Sequence, residues 1–152
     1  MGLLLYITMT DINFFNVDIT FLPKHRIKLK SWLRSIAKQE KQEIKSLNYI
    51  FCSDEYLYKM NVQFLQHDDF TDVITFENTE EKGKVEGEIY ISYDRVKENA
   101  TLHNDLIINE LHRVMAHGLL HLLGYKDKGK ADKAKMTEKE DFCLNLRPQF
   151  GL

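Results

Sequence analysis

A chain of 152 residues, 43% hydrophobic and 29% charged, holds enough apolar material for one buried core and too little for two comfortable domains. Its formal charge of -2 excludes the global positive field of proteins that hold nucleic acid by charge alone, so contact with RNA has to use local patches, and neither DNA nor a membrane is expected as a partner. Two cysteines, Cys52 and Cys143, in no redox or metal-binding spacing, fit buried thiols in a reducing compartment; the protein is expected to be cytoplasmic, with a monomer as the default state.

Residues 1–9 are apolar, lack a basic leader and a small-residue cleavage site, and are too short to span a bilayer, so a first strand or a poorly ordered end accounts for them. Residues 12–21 alternate apolar and polar side chains as a strand does. Pro23 then introduces a helix over 24–41 whose buried stripe is Ile27, Leu29, Trp32, Leu33 and Ile36. Lys24, His25, Arg26, Lys28, Lys30 and Arg34 make that helix basic, as a local RNA-facing patch or as an ordinary solvated face. A second strand over 47–52 leads through Ser53 and Asp54, both good N-caps, into a helix running to residue 64. After a polar loop at 66–69, the β-rich stretch 71–76 and the alternating stretch 88–92, separated by turn-like residues 80–87, are expected to pair as an antiparallel hairpin. A short helix over 94–99, a principal helix over 106–123 and a charged helix over 130–146 follow. Strands mixed with helices predict an α+β fold: a single domain over 1–152 with a small mixed sheet packed by helices.

The principal helix carries a wide apolar stripe of Ile107, Ile108, Leu111, Val114, Met115, Gly118 and Leu122. His117 and His121 lie along its edge. At i and i+4 their imidazoles project from one face, one turn apart, as two facial metal ligands require. Gly124 can end the helix at little steric cost and let the following turn swing Asp127 back toward both histidines. The frame H-x-x-x-H-x-x-G-x-x-(third ligand) is that of the metzincin zinc hydrolases, with two changes. Gly118 replaces the glutamate that serves metalloproteases as general base, which disfavours proteolysis. Asp127 replaces the third histidine, and a carboxylate oxygen is an acceptable zinc ligand at about 2.0–2.2 Å. Three protein donors with a fourth position for water suit one Zn²⁺ per chain, although nickel and manganese are not separated from zinc by spacing. Glu110, seven residues before His117 and near the same azimuth, is either an outer acceptor for an imidazole N–H or a solvated surface residue. No residue stands out as a general base.

The run HGLLHLLGYKD at 117–127 resembles the signature H-G-x-L-H-L-x-G-Y-D-H of the YbeY family, bacterial metal-dependent endoribonucleases of ribosomal RNA maturation. His117, Gly118, Leu120, His121, Leu122, Gly124 and Tyr125 match directly. Met60-Asn61, Phe64-Leu65, Asp68 and 71–76 are similar to the family's L-N…Y-R…D-x-P-T-D-V-L-S-F region, and 87–92 to its G-D-I-x-I-S strand, so the likeness runs over residues 46–130. It implies a zincin-like metal-binding helix, hydrolysis of single-stranded RNA in a cleft, and small-subunit ribosomal RNA maturation and ribosome quality control, with ribosomal RNA and the small ribosomal subunit as partners. Thr71 and Asp72 resemble family positions near the cleft and are expected to orient substrate, with turn formation or capping as the alternative. Two departures matter: Asp127 as third ligand, and Leu65 where the family usually carries an arginine associated with catalysis. Leucine cannot stabilise a phosphate, and Lys126 or Lys128 is the candidate replacement charge. The competing expectations are a non-catalytic ribosome assembly factor with a structural metal and a metalloprotease-like hydrolase.

Overall fold

Helical crossovers dictate parallel strand pairing here. In a computed structural model describing residues 11–66 and 71–152, β1 (Ile12–Asn16) reaches β2 (Glu43–Cys52) through α1 (Arg26–Gln39), and the two strands pair in parallel. From β2 the chain passes through α2 (Asp54–Leu65) and β3 (Val73–Glu77) to β4 (Lys84–Ser92); β4 lies parallel to β2 and antiparallel to β3. The order β1-β2-β4-β3 makes a mixed sheet with β3 at one edge. α3 (Tyr93–Leu102), α4 (Ile107–Leu122) and α5 (Lys130–Asn145) follow, then a 3₁₀ turn over Arg147–Phe150. Among the described residues this gives four strands and five α-helices in an α+β arrangement, as the mixed sequence pattern predicts. The expected features of residues 1–9, and Asp68 with the loop around it, lie outside the described residues.

Tyr49, Phe51, Ile89 and Ile91 on one sheet face meet Leu29, Trp32 and Leu33 of α1 and Leu111, Met115 and Leu119 of α4, all within one buried cluster. The two polar aromatics in it are satisfied: Tyr49 Oη donates to the Met115 carbonyl at 2.8 Å and Trp32 Nε1 to the Cys143 carbonyl at 2.8 Å. Cys52 and Cys143 are buried free thiols, and burial pushes both up to a pKa of about 12. Ser53 caps α2, accepting from Tyr56 N, as its position predicts.

Several boundaries differ from expectation. β1 stops at Asn16 rather than continuing to residue 21, because the chain turns at Asp18 (φ 55°), whose carboxylate accepts from Ser53 N at 2.9 Å. Ile27 is 82% exposed and not part of the buried stripe; the stripe of α1 is Leu29, Trp32, Leu33, Ile36 and Ala37, and residue 27 points some 200° of helical rotation from Leu29. Ile107 and Ile108, expected in the stripe of α4, are half-exposed and line a recess with Phe21 and Tyr93. β2 and β4 begin earlier than expected, at Glu43 and Lys84, so the stretch read as a turn is partly strand.

The approach of α4 to the sheet is set by two glycines. A Cβ on Gly118 would lie 2.7 Å from Ile89 Cγ2, and one on Gly87 would lie 2.7 Å from the Phe76 carbonyl oxygen and 2.9 Å from Leu122 Cδ1. Each glycine leaves room for a branched side chain of the other element. Because the obstacle at Gly87 is partly backbone, Gly87→Ala is expected to lower unfolding free energy by about 1–3 kcal/mol through overpacking, read from urea denaturation midpoints at constant m-value.

His112, on α4, is 3% exposed beneath Arg147, whose Nη1 lies 3.0 Å from His112 Nδ1. Burial first and the Arg147 charge second pull its pKa from the ordinary 6.5 down to about 4. Between these values the unfolded chain binds the proton that the fold refuses, so stability conferred by neutral His112 is complete above pH 6.5 and is lost as pH falls toward 4. The loss is about 3 kcal/mol. Urea melts at pH 7 and near pH 4 should show a smaller pH penalty for His112→Asn than for the parent chain.

Candidate metal centre

α4 presents His117 and His121 one turn apart on the flank of the sheet, and Gly124, at φ 110°, turns the chain back over them. Asp127 thereby returns to the imidazoles. The His117 and His121 Nε2 atoms are 3.0 Å apart, and each is 3.3 Å from Asp127 Oδ2. A tetrahedral zinc with ligands at about 2.0–2.1 Å has an edge of about 3.3 Å, so the three donors fit a small divalent cation. They are the sequence-predicted ligands, brought together with all donor atoms within 4.8 Å of one another.

What fixes His117 lies outside the 117–127 segment, whereas the partner of His121 lies within it. His117 Nδ1 is 2.6 Å from Glu140 Oε2, and Glu140, 8% exposed on α5, also accepts from Arg113 Nη1 at 2.9 Å. His121 Nδ1 donates to the Tyr125 carbonyl at 3.0 Å. Tyr125 is held in turn: its hydroxyl donates to Glu40 Oε1 at 2.7 Å, and Lys139 Nζ reaches Glu40 Oε2 at 3.2 Å. With both Nδ1 atoms donating, both Nε2 atoms turn lone pairs toward the Asp127 carboxylate. Three electron-rich donors facing one point repel each other unless a cation or a proton stands between them.

The proton is the competitor. Burial alone would lower the His117 pKa, but the Glu140 hydrogen bond and charge, with Asp72 and Asp127 nearby, outweigh it and raise it above the ordinary histidine value. Asp72 is held above the usual carboxylate range by its own burial, partly offset by His117.

The donors open into a cleft of about 340 Å³ walled by Asn61 and Leu65 of α2, Thr71, Asp72, residues 73–75 of β3, and Lys128. Thr71 and Asp72 therefore line the same cleft as the three donors, and Lys128 reaches the same space. Lys126 instead lines an adjoining recess with His121 and Asp127. None of the basic residues of α1 lines the cleft. Bonds from Ser92 N to Asp72 O and from Asn78 N to Glu86 O, both 2.9 Å, set the hairpin phase, so Val73 and Thr75 turn their N–H and C=O away from β4 along the outer edge of β3.

Glu110 does not serve the imidazoles. It is 6% exposed, neither solvated nor paired to His117, and lies 3.9 Å from His103 Nδ1; burial and the Asp72 charge raise its pKa. Two helical turns separate it from His117, and Glu140 takes the partnership from a different helix. The signal for Glu140 was present: with Met136 and Cys143 it forms the buried stripe of α5 at i, i+4 and i+7, where a carboxylate needs a partner.

Fold and site together define a small α+β protein with a donor cluster able to hold a metal, a His-x-x-x-His helix laid on a mixed sheet and an edge strand walling the cleft. The sequence profile of the endoribonuclease YbeY family matches residues 14–147. Endoribonuclease YbeY of Cytophaga hutchinsonii is 57% identical over 136 residues, covering 90% of this chain and 95% of that protein. Endoribonuclease YbeY of Amoebophilus asiaticus is 46% identical, covering 88% and 91%. The solution structure of TM1509 from Thermotoga maritima superposes with a TM-score of 0.62 at 33% identity, covering 90% of this chain and 88% of that one. The chain belongs to the endoribonuclease YbeY family.

Glu140→Gln is expected to lower divalent-metal affinity about 10–100-fold with the fold intact, since the outer acceptor orients the ligand and raises its basicity. In the parent chain affinity should climb with pH until the raised His117 pKa is passed; in the variant the climb ends at lower pH, because the strongest influence holding the proton is gone. Competition titrations against a chromophoric chelator from about pH 5.5 to about pH 8 measure both effects.

Proposed function

We propose that this chain is a zinc-dependent endoribonuclease of ribosomal RNA maturation, acting on single-stranded regions of ribosomal RNA in the context of the small ribosomal subunit and its quality control. It is a hydrolase, works in the cytoplasm, and uses residues 1–152 as one domain. The supporting observation is the cleft: two imidazoles with fixed tautomers and one carboxylate converge at its floor, in a chain that belongs to an endoribonuclease family. Among the described residues no helix is long and apolar enough to cross a membrane.

His117, His121 and Asp127 would hold the metal, which when bound supplies Lewis acidity toward a phosphoryl oxygen and a lowered pKa for water. The two histidines act as ligands and not as bases, because Glu140 and the Tyr125 carbonyl occupy their remaining nitrogens. Thr71 and Asp72 orient the substrate from the cleft wall, and Lys128 places a cation where phosphate passes. Asp72, Asp127 and Glu140 make the metal-free cleft acidic, so RNA and cation are expected to bind together.

Proteolysis by the metzincin route has no support, since the place of its glutamate is Gly118, packed against Ile89 with no space even for a Cβ. Leu65 favours a second reading, a non-catalytic assembly factor: it lines the cleft, 39% exposed, and offers no charge to a phosphate. Purified protein should carry zinc by elemental analysis, and His117→Ala should not. His121→Ala should lose at least about 100-fold of RNA cleavage with an unchanged circular dichroism spectrum and retained ribosome association. Equal zinc in parent and His117→Ala removes the metal reading; cleavage undiminished in His121→Ala removes the catalytic one.

A further inference from the structure

We propose that the aromatic groove between α2 and the outer face of the sheet is a base-stacking subsite for single-stranded RNA, flanking the metal cleft. The inference deepens the reading of that cleft as an RNA site and rests on it.

The strand register defines the groove. Ile89 packs against Gly118 of α4, so Tyr90 and Glu88 point to the opposite face of β4. Directly opposed residues share a face, which puts Ile74 beside Tyr90 and Phe76 beside Glu88. There Phe76 meets both Phe64 of α2 (6.2 Å, 87°) and Tyr90 (5.8 Å, 89°) edge to face. With Tyr56 these rings line an open groove of about 550 Å³, and Phe64 is 57% exposed. Rings that meet edgewise leave flat faces for a planar ligand, and nucleobases stack on such faces with little sequence preference.

Two observations favour RNA as the occupant. The first is continuity. Consecutive residues divide between the two cavities: Asn61 and Leu65 of α2 line the cleft while Met60 and Phe64 line the groove, and on β3 Thr75 lines the cleft while Phe76 lines the groove. The C-terminal half of α2 and the edge strand are thus a shared wall, and a strand crossing it occupies both. The second is charge placement. Glu88 sits within the groove, where a carboxylate repels phosphate and accepts from a base amino group, whereas Lys59 stands at the groove with its side chain 72% exposed and paired with Glu55 at 3.2 Å. Bases go inward and the phosphate backbone stays in solvent.

The test is single-turnover cleavage of a 5′-labelled single-stranded RNA of about twelve nucleotides by zinc-loaded full-length protein, a length that exceeds the cleft and is within the usual span of single-strand sites. Phe64→Ala and Tyr90→Ala are each expected to raise the half-saturating protein concentration about 5–30-fold while leaving the saturating rate within about twofold, and Phe64→Trp to retain parent affinity. 4-Thiouridine in the RNA should cross-link to peptides containing Phe64 or Tyr90; should Tyr90→Ala fail to fold, Phe64→Ala and the cross-links decide. Unchanged half-saturation in folded variants, with parent cleavage normal, overturns the subsite, leaves the proposed function standing and marks the groove as a face for a protein partner. A loss confined to the saturating rate also overturns it. Absence of cleavage and of RNA binding by the parent chain refutes the proposed function and this inference with it.

Discussion

The candidate metal centre depends on how closely α4 lies against β4. Gly118 receives Ile89, Gly87 receives Leu122, and the helix settles on the sheet at a depth that neither residue would allow with a Cβ. His117 immediately precedes one of these contacts and Leu122 immediately follows His121, so the imidazoles inherit the rigidity of the packing rather than that of a loop. The same contact explains why the glutamate of the metzincin frame is missing. The position is used for helix-to-sheet contact, which turns a catalytic slot into a structural one.

Electrostatics at the centre follow from that placement. His117 is surrounded by Glu140, Asp72 and Asp127, and its raised proton affinity shows that the surroundings favour positive charge more than burial opposes it. A divalent cation satisfies this demand better than a single proton, because it serves all three donors together. An RNA phosphate brought to the same cleft would meet carboxylates on several sides, and among the described residues lining it Lys128 is the one lysine or arginine, so a bound metal would supply most of the attraction at the floor. Leu65, which lines the cleft and carries no charge, sharpens that dependence.

The helices and the antiparallel hairpin were legible in the sequence because their periodicity is local: Ser53 capping α2, the alternation in β3 and β4, and the His-x-x-x-His face of α4 all appear where reading the chain placed them. The convergence of His117, His121 and Asp127 was legible for the same reason, since these residues and Gly124 fall within eleven residues. The outer support was not. Glu140 belongs to a helix whose composition looks solvated, and only its phase relative to Met136 and Cys143 reveals that it faces inward. Glu110 comes up as an alternative acceptor only when one helix is read alone, whereas the acceptor at His117 is set by the docking of α5 on α4. Ile27 failed differently: its hydrophobicity suggested burial, but its azimuth opposes Trp32 and Leu33 on the packed side of α1.

One consequence follows from the order in which the chain is made. Translation completes the three converging donors at Asp127, yet the carboxylate that holds His117 is encoded thirteen residues later, beside the lysine that helps anchor the Tyr125 loop through Glu40. While synthesis is under way, the nascent polypeptide therefore has the Tyr125 carbonyl for His121 but not yet the carboxylate that His117 uses. The centre matures after α5 emerges and docks, a built-in delay between producing the ligands and arming them.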